Sequence, residues 1–212
     1  MDAASIRGTT LTDTSGNHND GALVGSFPQT PTAQGHFGEA LVYPGTGTAY
    51  VRIPQLALDQ TAGGINSISL WFFYRSGRAS TSSDVLALLP NAPRYDLWFN
   101  HNTDLCINTG RGECWGIQDT TLLDRWVHVV GTFVNGAISQ GNLYVDGKNR
   151  NAACRGGGYA TCNGVNATAA TPIELGGESD FPFHGMLDEV RIYNRALTSS
   201  EVSTLYGGTA CP

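Results

Sequence analysis

Read for its period, this chain of 212 residues breaks into about a dozen runs of strand length, with turn residues between nearly every neighbouring pair. So many strands twist too strongly to stay in one open sheet. The expected fold is therefore all-β, two antiparallel sheets packed face to face with one short helix at the C-terminal end. The strongest run is Ser67 to Arg75, where Ile68, Leu70, Phe72 and Tyr74 share one face and Trp71 and Phe73 share the other. A strand apolar on both faces belongs in the middle of a sheet. Trp126 to Val134 is its match in length, with Val127, Val129 and Phe133 facing inward and Trp126 and His128 outward. Weaker runs at Gly21–Gly25, Gly35–Tyr43, Ala49–Pro54, Asp84–Leu89, Tyr95–Asn100, Leu105–Asn108, Cys114–Ile117, Asn142–Asp146 and Thr171–Gly176 complete the set. Residues 1–35 otherwise read as loop, and so does Asn149–Ala170. The 27 glycines and 14% charged residues fit many tight turns better than helices. No boundary divides the chain, so residues 1–212 are expected to form one domain.

The last strand raises a chemical question. Strict alternation over Met186–Tyr193 puts Met186, Asp188, Val190 and Ile192 together on the core face. A carboxylate left unpaired among such neighbours would cost several kcal/mol. Asp188 therefore calls for a cationic partner, hydrogen-bond donors or a metal ion. Directly after the strand, Thr198 and Glu201 have capping-box spacing, Leu197 can staple onto Val202, and Gly207 supplies a stop. These signals predict a helix of about two turns.

The block Gly185-Met-Leu-Asp-Glu-Val-Arg-Ile-Tyr-Asn-Arg-Ala-Leu-Thr-Ser-Ser-Glu-Val202 resembles the ending of bacterial laminin-G-like, concanavalin A-like jelly-roll domains. Asp13-Thr-Ser-Gly-Asn-His-Asn-Asp-Gly21, Ser67-Ile-Ser-Leu-Trp-Phe-Phe73, Trp126-Val-His-Val-Val-Gly-Thr-Phe133 and Leu143-Tyr-Val-Asp-Gly147 agree with it in the same order. The resemblance implies a two-sheet jelly-roll β-sandwich over nearly the whole chain. One departure is Tyr43-Pro-Gly45, where such domains often carry Phe-Asp-Gly. The resemblance also implies a structural calcium ion between the N-terminal loop and the acid of the closing strand, which maps here onto Asp13, Asn17, Asn19 and Asp188. The residues are compatible with this, since Asp13, Asn17, Asn19 and Asp20 place oxygen donors at short spacing around Gly16. They equally allow an Asx-rich turn that bonds its own backbone, with Asp188 accepting backbone N–H groups.

A net charge of −6 argues against nucleic acid or an anionic membrane as partner, because both call for a basic patch. No apolar run approaches the ~18 residues of a membrane span. The chain opens Met1-Asp2-Ala-Ala without a signal peptide, which reads as a cut boundary. The domain is thus expected to be a module of a larger secreted protein. Cysteine usage points the same way: Cys106 and Cys114 flank one Gly-containing turn, and Cys154 and Cys162 bracket another. Two local disulfides are expected, and with them an oxidising compartment. A four-thiolate zinc site is the alternative, although neither pair has the short spacing it prefers. Cys211 is left over.

For a ligand site, Trp98 and Trp115 have the most polar settings of the four tryptophans, with Asn100 and Arg111 at the turns between their strands and Tyr159 on a Gly-rich loop. Flat aromatic faces flanked by amide and charged groups suit a sugar. Core packing is the competing role for each ring. Jelly-roll glucanases set two carboxylates on alternate residues of one strand, and no such run occurs. Glu174, Glu178 and Asp180 come nearest, but they straddle Gly176 and Gly177, and the adjacent Asp188 and Glu189 point to opposite faces. The expectation is a non-catalytic extracellular module that binds a polysaccharide or other glycan. The alternatives are an adhesion or spacer domain that binds protein or glycoprotein, and a jelly-roll hydrolase or lyase with an unfamiliar site.

Overall fold

In the computed structural model, which describes residues 5–46, 49–77, 84–88, 96–100, 103–108, 114–155, 162, 172–177 and 181–208, the alternating runs pair antiparallel into two sheets. The seven-stranded sheet runs in the order β14 (Lys148–Asn149), β13 (Asn142–Val145), β12 (Trp126–Val134), β7 (Ile65–Tyr74), β17 (His184–Tyr193), β5 (Glu39–Pro44) and β4 (Thr32–Gln34). β7, apolar on both faces, is central, paired along its length with β12 on one side and β17 on the other. The ten-stranded sheet runs β1 (Ile6–Arg7), β2 (Thr10–Leu11), β3 (Gly21–Val24), β6 (Tyr50–Ile53), β16 (Ile173–Leu175), β8 (Asp84–Leu88), β9 (Asp96–Asn100), β10 (Asp104–Asn108), β11 (Trp115–Gln118) and β15 (Ala153–Cys154). β1, β2, β4, β14 and β15 are strands that the sequence reading left as loop or did not separate. Each has only two or three residues, too few for a period to register.

The core lies between the sheets, as the alternation requires. Ile68, Leu70, Phe72, Tyr74, Val127, Val129 and Phe133 come from one inner face, and Val51, Leu97, Phe99, Leu105, Ile107 and Leu175 from the other. Phe99 bridges them, edge-on to Phe72 at 5.4 Å and tilted against Tyr74 at 4.6 Å between ring centroids. Burying such side chains contributes about 1.5–3 kcal/mol each relative to exposure.

The closing strand departs from strict alternation. β17 pairs in register with β7 through Asp188 and again from Arg191, and the register shifts in between. Glu189 sits in this bulge at φ 50°. The extra residue flips the faces, so Leu187 lies in the core before it, while Val190 and Ile192 turn inward after it and stay only partly buried. Met186 and Asp188 therefore occupy the outer face, not the core face that period-2 reading assigned to them. A bulge breaks the parity on which that reading depends.

Asp188 is nonetheless fully buried, beneath the loop that leads into β5. Its Oδ2 accepts the Phe37 N–H at 2.9 Å and its Oδ1 the Glu189 N–H at 2.8 Å. Burial pushes its carboxyl above the ordinary carboxylate range, and these two N–H groups work against that shift. The helix follows its sequence signals: α1 (Ser199–Tyr206) has the complete Thr198/Glu201 capping box. Leu197, Val202 and Leu205 pack on Val130 and Tyr144, on the outer face of the seven-stranded sheet. Both disulfides form as expected, Cys106–Cys114 and Cys154–Cys162.

Candidate functional site

β9 reads Asp96-Leu-Trp-Phe-Asn100 and β10 reads Asp104-Leu-Cys-Ile-Asn108. Leu97, Phe99, Leu105 and Ile107 belong to the core, so Asp96, Trp98 and Asn100 share the outer face of the ten-stranded sheet with Asp104, Cys106 and Asn108. The register sets Trp98 opposite Cys106, Asn100 opposite Asp104, and Asp96 opposite Asn108. Trp98 is 8% exposed and packs with the Cys106–Cys114 disulfide and Phe181. That small apolar cluster lies on the outer face, separate from the main core.

Two polar atoms of this face stand out. Trp98 Nε1 and Asp104 Oδ1 are buried without a hydrogen-bond partner among the described residues. For Asp104 the charge neighbour is Arg155, whose Nε lies 3.9 Å away. Leaving a buried donor or acceptor unsatisfied costs about 1–3 kcal/mol each. A ligand hydroxyl, which both donates and accepts, would recover that cost at either atom.

A further acid reaches the same face from β16. Ile173 and Leu175 point into the core, so Glu174 points outward, 3.9 Å from Arg52 of β6. Glu174 pairs with Leu88 of β8, Leu88 with Asp96, and Asp96 with Asn108, in one transverse row. Asn108 Nδ2 donates to Asp96 Oδ2 at 3.4 Å. Glu174 and Asp96 are thus two strands apart on one face, about 10 Å at the usual strand spacing. Sequence reasoning missed Asp96, and it met Glu174 only in a run that straddles Gly176 and Gly177. A signal was present for Asp96, since both meander strands alternate polar and apolar residues; the row through β16 is a product of strand order alone.

The remaining expected site residues are dispersed. Trp115 pairs with the core residue Ile107 and packs partly against the core. Its Nε1 donates to the Gly141 carbonyl at 3.3 Å, so it does not share the face that carries Trp98 and Asn100. Arg111 and Tyr159 lie outside the described residues.

In the N-terminal loop, Asp13 Oδ1 accepts the Ser15 N–H and Oδ2 the Asn19 N–H, both at 2.9 Å, while Asp20 Oδ1 accepts the Asp13 N–H at 2.8 Å. Asn17 Nδ2 donates to Ser15 Oγ at 3.0 Å. Burial pushes the Asp13 carboxyl up, but the Ser15 and Asn19 hydrogen bonds outweigh it and hold it below the ordinary value. Among the described residues no three His, Cys, Asp or Glu side chains converge as a metal-binding group. Asp13 belongs to the loop between β2 and β3 of the ten-stranded sheet, and Asp188 to the outer face of the other sheet.

Comparison with known proteins is consistent with this architecture. A family model described as Laminin_G_3, concanavalin A-like lectin/glucanases superfamily, matches residues 45–203. No curated protein matches the chain in sequence. Among solved structures, domain 4 of AbnA, a GH43 extracellular arabinanase from Geobacillus stearothermophilus in complex with arabinotriose, is similar at 24% identity and TM-score 0.58, covering 92% of each chain. Trypanosoma rangeli sialidase is similar at 19% identity and TM-score 0.63, with 95% of this chain aligned to 31% of that one. The binding domain of botulinum neurotoxin serotype G is similar at 14% identity and TM-score 0.66, with 96% of this chain aligned to 49% of that one. At these identities the likeness is one of fold.

Proposed function

Because the chain belongs to the concanavalin A-like lectin/glucanases superfamily, matched over residues 45–203, we propose that it is a non-catalytic extracellular module that binds a glycan on the outer face of its ten-stranded sheet. The observation that carries this reading is the pair of buried polar atoms that have no hydrogen bond among the described residues, Trp98 Nε1 and Asp104 Oδ1, on neighbouring strands and beside Asn100, with Arg155 Nε as the charge neighbour of Asp104 Oδ1 at 3.9 Å. A hydroxyl-rich ligand satisfies a donor and an acceptor at once. The arabinotriose held by domain 4 of the arabinanase and the two disulfides, which persist in oxidising surroundings, support the glycan and extracellular parts of the proposal.

The test is a glycan array followed by titration of the best polysaccharide against Trp98→Phe. Phenylalanine retains the packing on the disulfide but lacks the indole N–H, so affinity is expected to fall about tenfold, as for loss of one well-placed hydrogen bond. Unchanged affinity with an intact fold would move the binding face elsewhere.

One observation favours a second, hydrolytic reading. Glu174 and Asp96 share a transverse row about 10 Å apart, near the spacing at which an acid and a base can flank a water in inverting glycoside hydrolysis. Release of reducing ends from the bound glycan, abolished in Glu174→Gln or Asp96→Asn, would replace binding by catalysis.

A structural calcium ion at Asp13, Asn17, Asn19 and Asp188 is part of the same proposal. Each carboxylate oxygen of Asp13 and Asp188 already accepts one N–H, so a cation would use their remaining lone pairs. Chelation is then expected to lower the melting temperature, with calcium restoring it, because a cation held only by the folded chain stabilises it by mass action. A melting curve indifferent to both additions would assign these acids to hydrogen bonding alone.

A further inference from the structure

On the opposite side of the molecule, the outer face of the seven-stranded sheet holds a pocket of about 190 Å³ between the sheet, the end of α1 and the loop before β5. Its walls include Phe37 from that loop, Ser69 and Trp71 from β7, His128 from β12, and Glu189 and Arg191 from β17. Trp71 is buried, with His36 stacked on it at 3.5 Å and Tyr206 of α1 nearly parallel at 5.6 Å. Its ring therefore shapes the pocket and is not an open stacking platform. Phe37, 37% exposed, is the apolar wall that a ligand can reach.

The polar side of the pocket is built in two ways. His128 is 1% exposed; its Nε2 contacts Ser69 Oγ at 3.0 Å, and its Nδ1 has no hydrogen-bond partner among the described residues. Burial keeps this imidazole neutral, with a pKa of about 4. Beside it, Arg191 Nη2 donates to Glu189 Oε2 at 2.7 Å. The bulge that turned Asp188 outward also brings Glu189 to this face, in a backbone conformation that costs a non-glycine residue of order 1 kcal/mol or more. Strain of this kind is found where a side chain is aimed at a task.

We propose that this pocket is a second binding site, separate from the glycan face, and that it takes one neutral polyol ring, such as a single sugar residue. The Glu189–Arg191 pair presents donors and acceptors on neighbouring atoms with no net charge, which matches vicinal hydroxyls and gives an ionic ligand nothing to gain. The volume admits one ring, not a chain, and Phe37 covers its apolar side.

The experiment follows the Trp71 indole and His128 imidazole signals by NMR while methyl glycosides of glucose, galactose, mannose and arabinose are added to the folded protein. One glycoside is expected to shift both sets of signals, with a Kd of about 1 mM for so small a ligand. Glu189→Gln should weaken it at least about tenfold, and Phe37→Ala, which removes the apolar wall, should weaken it too. Trp98→Phe should leave it unchanged. The proposal is overturned if no glycoside moves these signals at large excess, if shifts arise only around Trp98, or if Glu189→Gln and Phe37→Ala, both folded by their spectra, bind as the unaltered chain does.

Discussion

Replacing Gly176 by alanine is expected to lower the melting temperature by about 10 °C, a large loss for a single added methyl group. Gly176 follows β16 at φ 91°, where any side chain is strained. A Cβ placed there runs into the ring of Tyr43, a core residue only 1% exposed. The ring has no space to retreat, because Phe27 and Phe183 pack edge-on against it. The backbone is committed as well: Gly176 N–H donates to the Leu86 carbonyl at 2.9 Å and its carbonyl accepts the Phe183 N–H at 3.0 Å. Backbone strain and overpacking together should cost about 3–5 kcal/mol. Gly63→Ala is the control, with a similar φ of 74° and nothing within 4 Å of the added carbon; it should cost about 1 kcal/mol. Equal shifts in the two melting curves would mean that Tyr43 yields and that the turn is held less tightly than described. The turn also ends the strand that sets Glu174 on the proposed binding face.

The second large effect concerns acid. His128 is buried, and burial holds its pKa down at about 4, against an ordinary 6.5; attraction to Asp146 opposes the shift, and Arg191 and His36 add to it. The folded chain thus prefers the neutral ring more strongly than the unfolded chain does. Its contribution is fully present above pH 6.5 and is lost as pH falls through the interval to about 4, where the unfolded state takes up the proton first. Integrated over that interval the loss is about 3 kcal/mol, an upper figure for a single imidazole. Urea midpoints measured from pH 7 to pH 4 should fall accordingly. His128→Gln, which keeps a polar partner for Ser69, should lose stability at neutral pH yet show a shallower fall. An identical pH slope in both proteins would place the acid sensitivity in the carboxylates. Ring signals of His128 should titrate far below those of an ordinary histidine, an independent reading of the same quantity.

Much of this molecule is written in local sequence. The faces of β7 and β12 follow from alternation because the two strands pair with each other along their length without a register shift. The capping box of Thr198 and Glu201, the stop at Gly207 and the two cysteine pairs join residues close in sequence, so local spacing was enough to name them. Asp188 shows where local reading ends. Its need for partners was legible from its neighbours, but its face was not, because the bulge at Glu189 is a pairing event between β17 and β7. The identity of its main partner, the N–H of Phe37, was equally invisible, since 151 residues separate the two.

The sites divide in the same way. Trp98 and Asn100 lie two residues apart on one strand, so their shared face was decided by sequence alone. Trp115 belongs to the same meander, yet its pairing with Ile107 turns it toward the core, a matter of register across a hairpin. The row from Arg52 through Glu174 to Asp96 and Asn108 joins strands from distant parts of the chain, and the pocket of Phe37, Trp71, His128 and Glu189 joins a loop and three strands. Sequence determines which face a residue occupies while a strand stays regular. Strand order, register and bulges decide which residues from different strands meet, and those are properties of the sheets as a whole.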